Sequence, residues 1–133
     1  MNKEPTKIFV CSPYRPKSNE PAKALAELQE NMARARDACR ILVKLGNMPL
    51  CPHLYFTSIF DDMVEEERTE GMLLGQQWLS ECEECWCFGD TISEGMAEEI
   101  ALAKEIGIPV RMMPEPKVLV EELIQAMKES EEL

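Results

Sequence analysis

The chain predicts an α/β fold, a parallel sheet with helices on both faces, and three observations carry the prediction. Short β-prone apolar runs alternate with longer segments of helical period along all 133 residues. Several of the runs end on residues that stop a strand, and the order that results, βαβαβαβα, needs crossovers that pack helices on both faces of a parallel sheet. There are no internal repeats, and a chain of this length fits one domain, 1-133, with one core.

Lys7-Ile-Phe-Val-Cys11 is the first strand, stopped by Ser12-Pro13 and followed by a loop carrying Tyr14, Arg15 and Lys17. From Pro21 to Leu45, the residues Leu25, Leu28, Met32, Ala35, Ala38, Cys39, Leu42 and Leu45 recur at three and four, and Gly46 ends the helix. Met48 to Cys51 forms a second strand closed by Pro52, and His53 to Asp62 a loop with a short helix. Helical character returns from Val64 to Cys82, where Gly71 and Gly75, four apart, permit close packing. Cys85 to Gly89 is the third strand, and a helix runs from Ser93 to about Ile106. Gly107 then precedes the strand Ile108 to Met112. The last helix starts near Pro116, with Val118, Leu119, Leu123, Ile124 and Met127 on its apolar stripe, and the acidic end Glu129 to Leu133 is expected to fray.

A hydrophobic fraction of 45% with a net charge of −11 describes a soluble globular protein. An acidic surface repels phosphate backbones, which excludes a nucleic-acid polymer as the expected partner and leaves room for a small anion held by local donors. No apolar run approaches the ~20 residues that span a bilayer, so no membrane partner is expected. The opening Met-Asn-Lys-Glu-Pro has no apolar core of a signal peptide, so the expected location is the cytoplasm. The six cysteines are then reduced, and Cys82, Cys85 and Cys87 are expected as small buried hydrophobes rather than as a zinc site.

In open parallel sheets ligands bind outside the carboxyl ends of the strands, which brings together residues 12–17, 53–62 and 89–99. The last of these, from Asp90 through Ser93, Gly95 and Met96 to Glu99, sets a hydroxyl and a glycine at a helix start and a carboxylate one turn further in. With about 100° per residue, Glu99 lies roughly 60° from the stripe Met96, Ile100, Ala103 and Gly107, while Glu98 points away from it. Glu99 is therefore the half-buried carboxylate suited to nucleophilic or acid/base work. Ser93 is either a helix cap or part of an anion cradle with the amides after Gly95, and Thr91 with Glu94 forms a competing capping box. Arg15 is a candidate anion clamp and His53 either a structural or a site residue. Asp61-Asp62 is a chelating or acid/base pair or a helix start, and Tyr55, Phe56 and Trp86 are expected to pack.

Together these residues resemble the nucleoside 2-deoxyribosyltransferase superfamily, and within it the 2'-deoxynucleoside 5'-monophosphate N-glycosidases. The likeness spans most of the chain in element order and is sharpest from Trp78 to Val110. It rests on Trp78-Leu79, the strand Cys85 to Phe88, and Ser93-x-Gly95-x-x-x-Glu99-x-x-x-Ala103, with Ile8 to Ser12 and Arg15 matching the first strand and loop. The resemblance implies a Rossmann-like (flavodoxin-like) sheet of four to five strands and a homo-oligomer, dimer or larger. It implies no metal or other cofactor and an N-glycosidase or deoxyribosyltransferase in which Glu99 attacks C1' of the sugar. It also implies that Ser93 and Gly95 receive a 5'-phosphate, while Ser12, Tyr14, Arg15, His53, Asp62, Asp90 and Met96 surround a nucleoside or nucleotide. One place departs from the pattern: where the family carries an aspartate that assists the leaving base, this chain has Gly75, followed by Gln76 and Gln77. Asp62, Asp61 or Asp90 would have to substitute. Otherwise the chain is a non-catalytic nucleotide-binding or sensing module of the same fold.

Overall fold

The computed structural model describes residues 4–132. Four parallel strands, β1 (Lys7–Cys11), β2 (Met48–Leu50), β3 (Glu84–Phe88) and β4 (Val110–Met113), form one sheet in the order β2-β1-β3-β4. The chain reverses its direction of travel across the sheet between β1 and β3, which pair from Ile8↔Glu84 to Cys11↔Cys87. That reversal is where a doubly wound sheet opens a crevice.

Helices α1 (Pro21–Lys44), α2 (Pro52–Tyr55), α3 (Glu65–Ser80), α4 (Glu94–Glu105) and α5 (Pro116–Glu132) connect and cover the strands, with a 3₁₀ turn at Phe56–Ser58 after α2. Alternation along the strands decides which helix each side chain meets. Ile8, Val10 and Phe88 pack with Ala35, Ala38 and Leu42 of α1, and Leu119 of α5 closes the same cluster. Phe9, Cys11, Cys85 and Cys87 point the other way, onto Leu79 of α3 and Met96 and Ala103 of α4. Residues 8–11 of β1 are at most 1% exposed, the near-continuous burial of a central parallel strand.

The helix ends follow from local chemistry. Pro21 opens α1 at a position that needs no N–H. Gly46, at φ +86°, lets the chain turn left-handed out of α1, with its N–H on the Val43 carbonyl at 3.0 Å and that of Asn47 on Leu42 at 2.9 Å. Three glutamates, Glu65 to Glu67, occupy the first turn of α3, where the helix dipole favours them. Gly71 and Gly75 bring α3 close to its neighbours: a Cβ on Gly71 would lie 3.5 Å from Phe60, and one on Gly75 3.4 Å from Pro52.

Three expectations are corrected. β4 starts at Val110 rather than Ile108, because Pro109 has no N–H and contributes only its carbonyl, which accepts from the Cys85 N–H at 2.9 Å. Gly107 is exposed and leaves the α4 stripe, serving instead as a left-handed residue at φ +83° past the end of the helix. The acidic end is helical through Glu132, with Gln125 Nε2 donating to Glu129 Oε1 one turn away at 3.3 Å; Leu133 lies outside the described residues.

Candidate active site

The loop after β1, the segment after β2, the cavity side of α3 and the first turns of α4 enclose a cavity of about 720 Å³ at the carboxyl ends of β1 and β3. Phe9, Leu79 and Met96, each at most 1% exposed, line it from the core. Ser12, Tyr14, Arg15, His53, Asp62, Ser93, Gly95, Met96 and Glu99 all line it, so nine of the ten residues expected at the site are brought together. Asp90 is the exception: it is exposed and does not line the cavity, because the turn after β3 sets it outside. Asp61 is also exposed, and its Oδ1 accepts from the Met63 N–H at 2.9 Å as a loop cap.

The helix start resolves in favour of Ser93. Its Oγ accepts from the Met96 N–H at 3.2 Å, making it the N-cap of α4, and Thr91 takes no part. Above the cap, a Cβ on Gly95 would meet nothing within 4 Å, so this backbone stays open to close approach from the cavity. Arg15 is not free: its Nη2 lies 3.0 Å from Asp62 Oδ2, joining the loop after β1 to the segment before α3.

At the centre stand Glu99 and His53. Glu98 also lines the cavity but is exposed, while the Glu99 side chain is 22% exposed, the more buried of the two as the helical angles required. His53 Nε2 lies 3.7 Å from Glu99 Oε1, and the imidazole stacks on the Tyr14 ring at 5.0 Å and 16° between planes. Burial is the main influence on both groups and it acts in opposite directions. It pushes the Glu99 carboxyl up to about 8, against a smaller pull from the Cys11 thiol, and the His53 imidazole down to about 4, against contacts with Ser12 and the field of Asp62. Burial also raises the Tyr14 phenol. At pH 7 the pair is mostly uncharged, with the proton on the carboxyl.

Two buried polar atoms among the described residues have no hydrogen-bond partner, Ser12 Oγ and Glu99 Oε2, and both residues line this cavity. A native fold leaves few such atoms, and each left bare costs about 1–3 kcal/mol. Both belong to this one site.

Sequence reasoning missed the wall formed by α3. Arg68, Gly71, Met72, Gly75, Gln76 and Leu79 line the cavity at helical spacing, and Thr57 and Phe60 add to it from the preceding segment. The signal was present in the three- and four-residue spacing around the two glycines. Gly75, at the departure from the family pattern, faces Pro52 on this wall and brings no carboxylate to it.

A flavodoxin-like α/β domain with a carboxylate-bearing cavity at the sheet reversal is the class that fold and site define. Residues 6–113 match the family described as a domain of unknown function, DUF7768, and the chain belongs to that family. No curated protein matches the sequence. Among solved structures the chain is similar to a 2-deoxyribosyltransferase from the psychrotolerant bacterium Bacillus psychrosaccharolyticus, with 21% identity over 82% of this chain and 72% of that one and a TM-score of 0.62. That likeness establishes a shared fold. No helix among the described residues is long and apolar enough to cross a membrane.

Proposed function

We propose that this protein cleaves the N-glycosidic bond of a nucleoside or nucleoside 5'-monophosphate, with Glu99 as nucleophile. The observation that carries the reading is Glu99 itself, a cavity-lining carboxyl with one oxygen buried and unpartnered beside a neutral imidazole. The fold it shares with a 2-deoxyribosyltransferase supports the same chemistry.

Glu99 loses its proton to solvent, and the desolvated carboxylate then attacks C1' of the sugar. The C1'–N bond breaks with its electron pair going to the base, which takes a proton from solvent as it leaves, and a C1'–O bond to Glu99 forms through an oxocarbenium-like transition state. Water or a second base displaces the carboxylate and completes hydrolysis or transfer. Ser12 Oγ donates to the sugar, Tyr14 and His53 pack on it, and a 5'-phosphate meets the open backbone at Gly95 and the Ser93 hydroxyl, which keeps its proton free to donate. Exposed Ile59, Met63, Leu73 and Leu74, on α3 and the segment before it, support a homo-oligomer.

Free base appearing from a panel of deoxynucleosides and their 5'-monophosphates tests the reading. Glu99→Gln is expected to lower release by about 10³-fold. Release undiminished in that variant removes Glu99 from the mechanism. The second reading is a non-catalytic nucleotide-binding module, favoured by Gly75 where the family carries an aspartate. It predicts calorimetric binding without base release, weakened by Ser93→Ala.

A further inference from the structure

A second group of chemically capable side chains lies one layer below the cavity. Cys11 at the end of β1 is the register partner of Cys87 on β3, and Cys85 sits two residues before Cys87 on the same face. Their three Sγ atoms all lie within 4.8 Å of one another, and none of the three residues has any exposed surface. The neighbouring Cys82, which the sequence pattern groups with Cys85 and Cys87, is not part of this set; Cys11 takes its place. All six cysteines are free thiols.

Three thiols rising from one face of a sheet form a tripod, and sulfur ligands select soft, thiophilic ions. Charge decides which soft ion is accommodated. Three thiolates around a divalent ion such as zinc leave a net charge of −1, and around copper(I) −2, inside an apolar cluster where an unpaired charge is strongly disfavoured. A trivalent ion leaves none. It also needs no fourth ligand, whereas tetrahedral zinc would have to add one, and Glu99, whose carboxyl meets the Cys11 thiol, would bring a further negative charge.

We propose that Cys11, Cys85 and Cys87 form a three-thiol seat for a trivalent thiophilic ion of the arsenic(III) type. Binding of arsenite at this seat is a condensation with no change of oxidation state. Each As–OH and each S–H is exchanged for an As–S bond, so As(OH)₃ and three thiols give one neutral As(S–Cys)₃ centre and three waters. The seat does not require Glu99 to be a nucleophile, although the Cys11 thiol meets the Glu99 carboxyl.

The test uses the full chain carrying Cys39→Ser, Cys51→Ser and Cys82→Ser, so that only the three tripod thiols remain, incubated with arsenite. Native mass spectrometry is expected to show one arsenic gained and three hydrogens lost per chain, and arsenite is expected to raise the thermal midpoint, since an ion held by the folded state stabilises it. Restoring zinc in place of arsenite is expected to give no adduct. Absence of the arsenic adduct, a lowered midpoint that marks binding to the unfolded chain, or tight zinc uptake each overturns the proposal. If the triple variant does not fold, the native chain with Cys87→Ala is compared with the native chain with Cys82→Ala. Loss of one bound arsenic in the first alone supports the seat, and equal uptake by both refutes it.

Discussion

The two faces of the sheet are built from the same strands and serve different ends. On the α1 and α5 face, Ile8, Val10 and Phe88 meet Ala35, Ala38 and Leu42 in an apolar cluster. On the α3 and α4 face, Phe9, Cys11, Cys85 and Cys87 begin an equally apolar cluster, but toward the carboxyl ends of the strands the packing stops short. A cavity opens there, and Ser12 Oγ and Glu99 Oε2 are left without partners. One face is closed by apolar packing, and the other sets polar groups of Ser12 and Glu99 at a cavity.

The largest expected effect that sharpens this contrast is the pH dependence of stability. Glu99 has its folded pKa raised to about 8, so the stability it contributes is complete below the ordinary glutamate value near 4.5 and is lost as pH rises through 8. His53 has its folded pKa lowered to about 4, so its contribution is complete above its ordinary value near 6.5 and is lost as pH falls through 4. In denaturant titrations, Glu99→Gln should therefore gain on the wild type by on the order of 4 kcal/mol between pH 4.5 and 9. A difference that stays flat across that range would show that Glu99 is not held desolvated.

On the opposite face, Leu42→Ala should lower stability by about 3 kcal/mol through the cavity it leaves, while the midpoint of Glu99 titration stays near 8. A shift of that midpoint would mean that the two faces are coupled through the sheet. The smallest effect is at the helix start. Ser93→Ala removes the cap on the Met96 N–H and should lower stability by about 1 kcal/mol at neutral pH, read from the urea midpoint.

The fold was legible because period and order are local signals. Alternation along β1 and β3 and the three-and-four spacing of α1 and α4 are written in consecutive residues. Glu99 was separable from Glu98 by helical angle alone, and its burial follows that angle. What sequence could not supply was distance across the fold. The pairing of Arg15 with Asp62 joins residues 47 apart, and the outward placement of Asp90 depends on how the turn after β3 leaves the sheet. Cys11 joins Cys85 and Cys87 because β1 and β3 are neighbours, a relation set by strand order and invisible in a Cys-x-x-Cys spacing. The α3 wall was missed for a different reason: Gly71 and Gly75 have no side chains to register as an apolar stripe, although their absence is what lets α3 approach Pro52 and Phe60.

The strand order has one more consequence, at the sheet's two borders. β2 is three residues long and carries Pro49 at its middle, while β4 is bracketed by Pro109 and Pro114 and exposes Arg111. An incoming strand from another molecule would find a missing donor on one side and a charged, proline-bounded ribbon on the other, the features by which natural sheets discourage runaway edge-to-edge growth. Extension of the sheet by an added strand is thereby disfavoured at both borders.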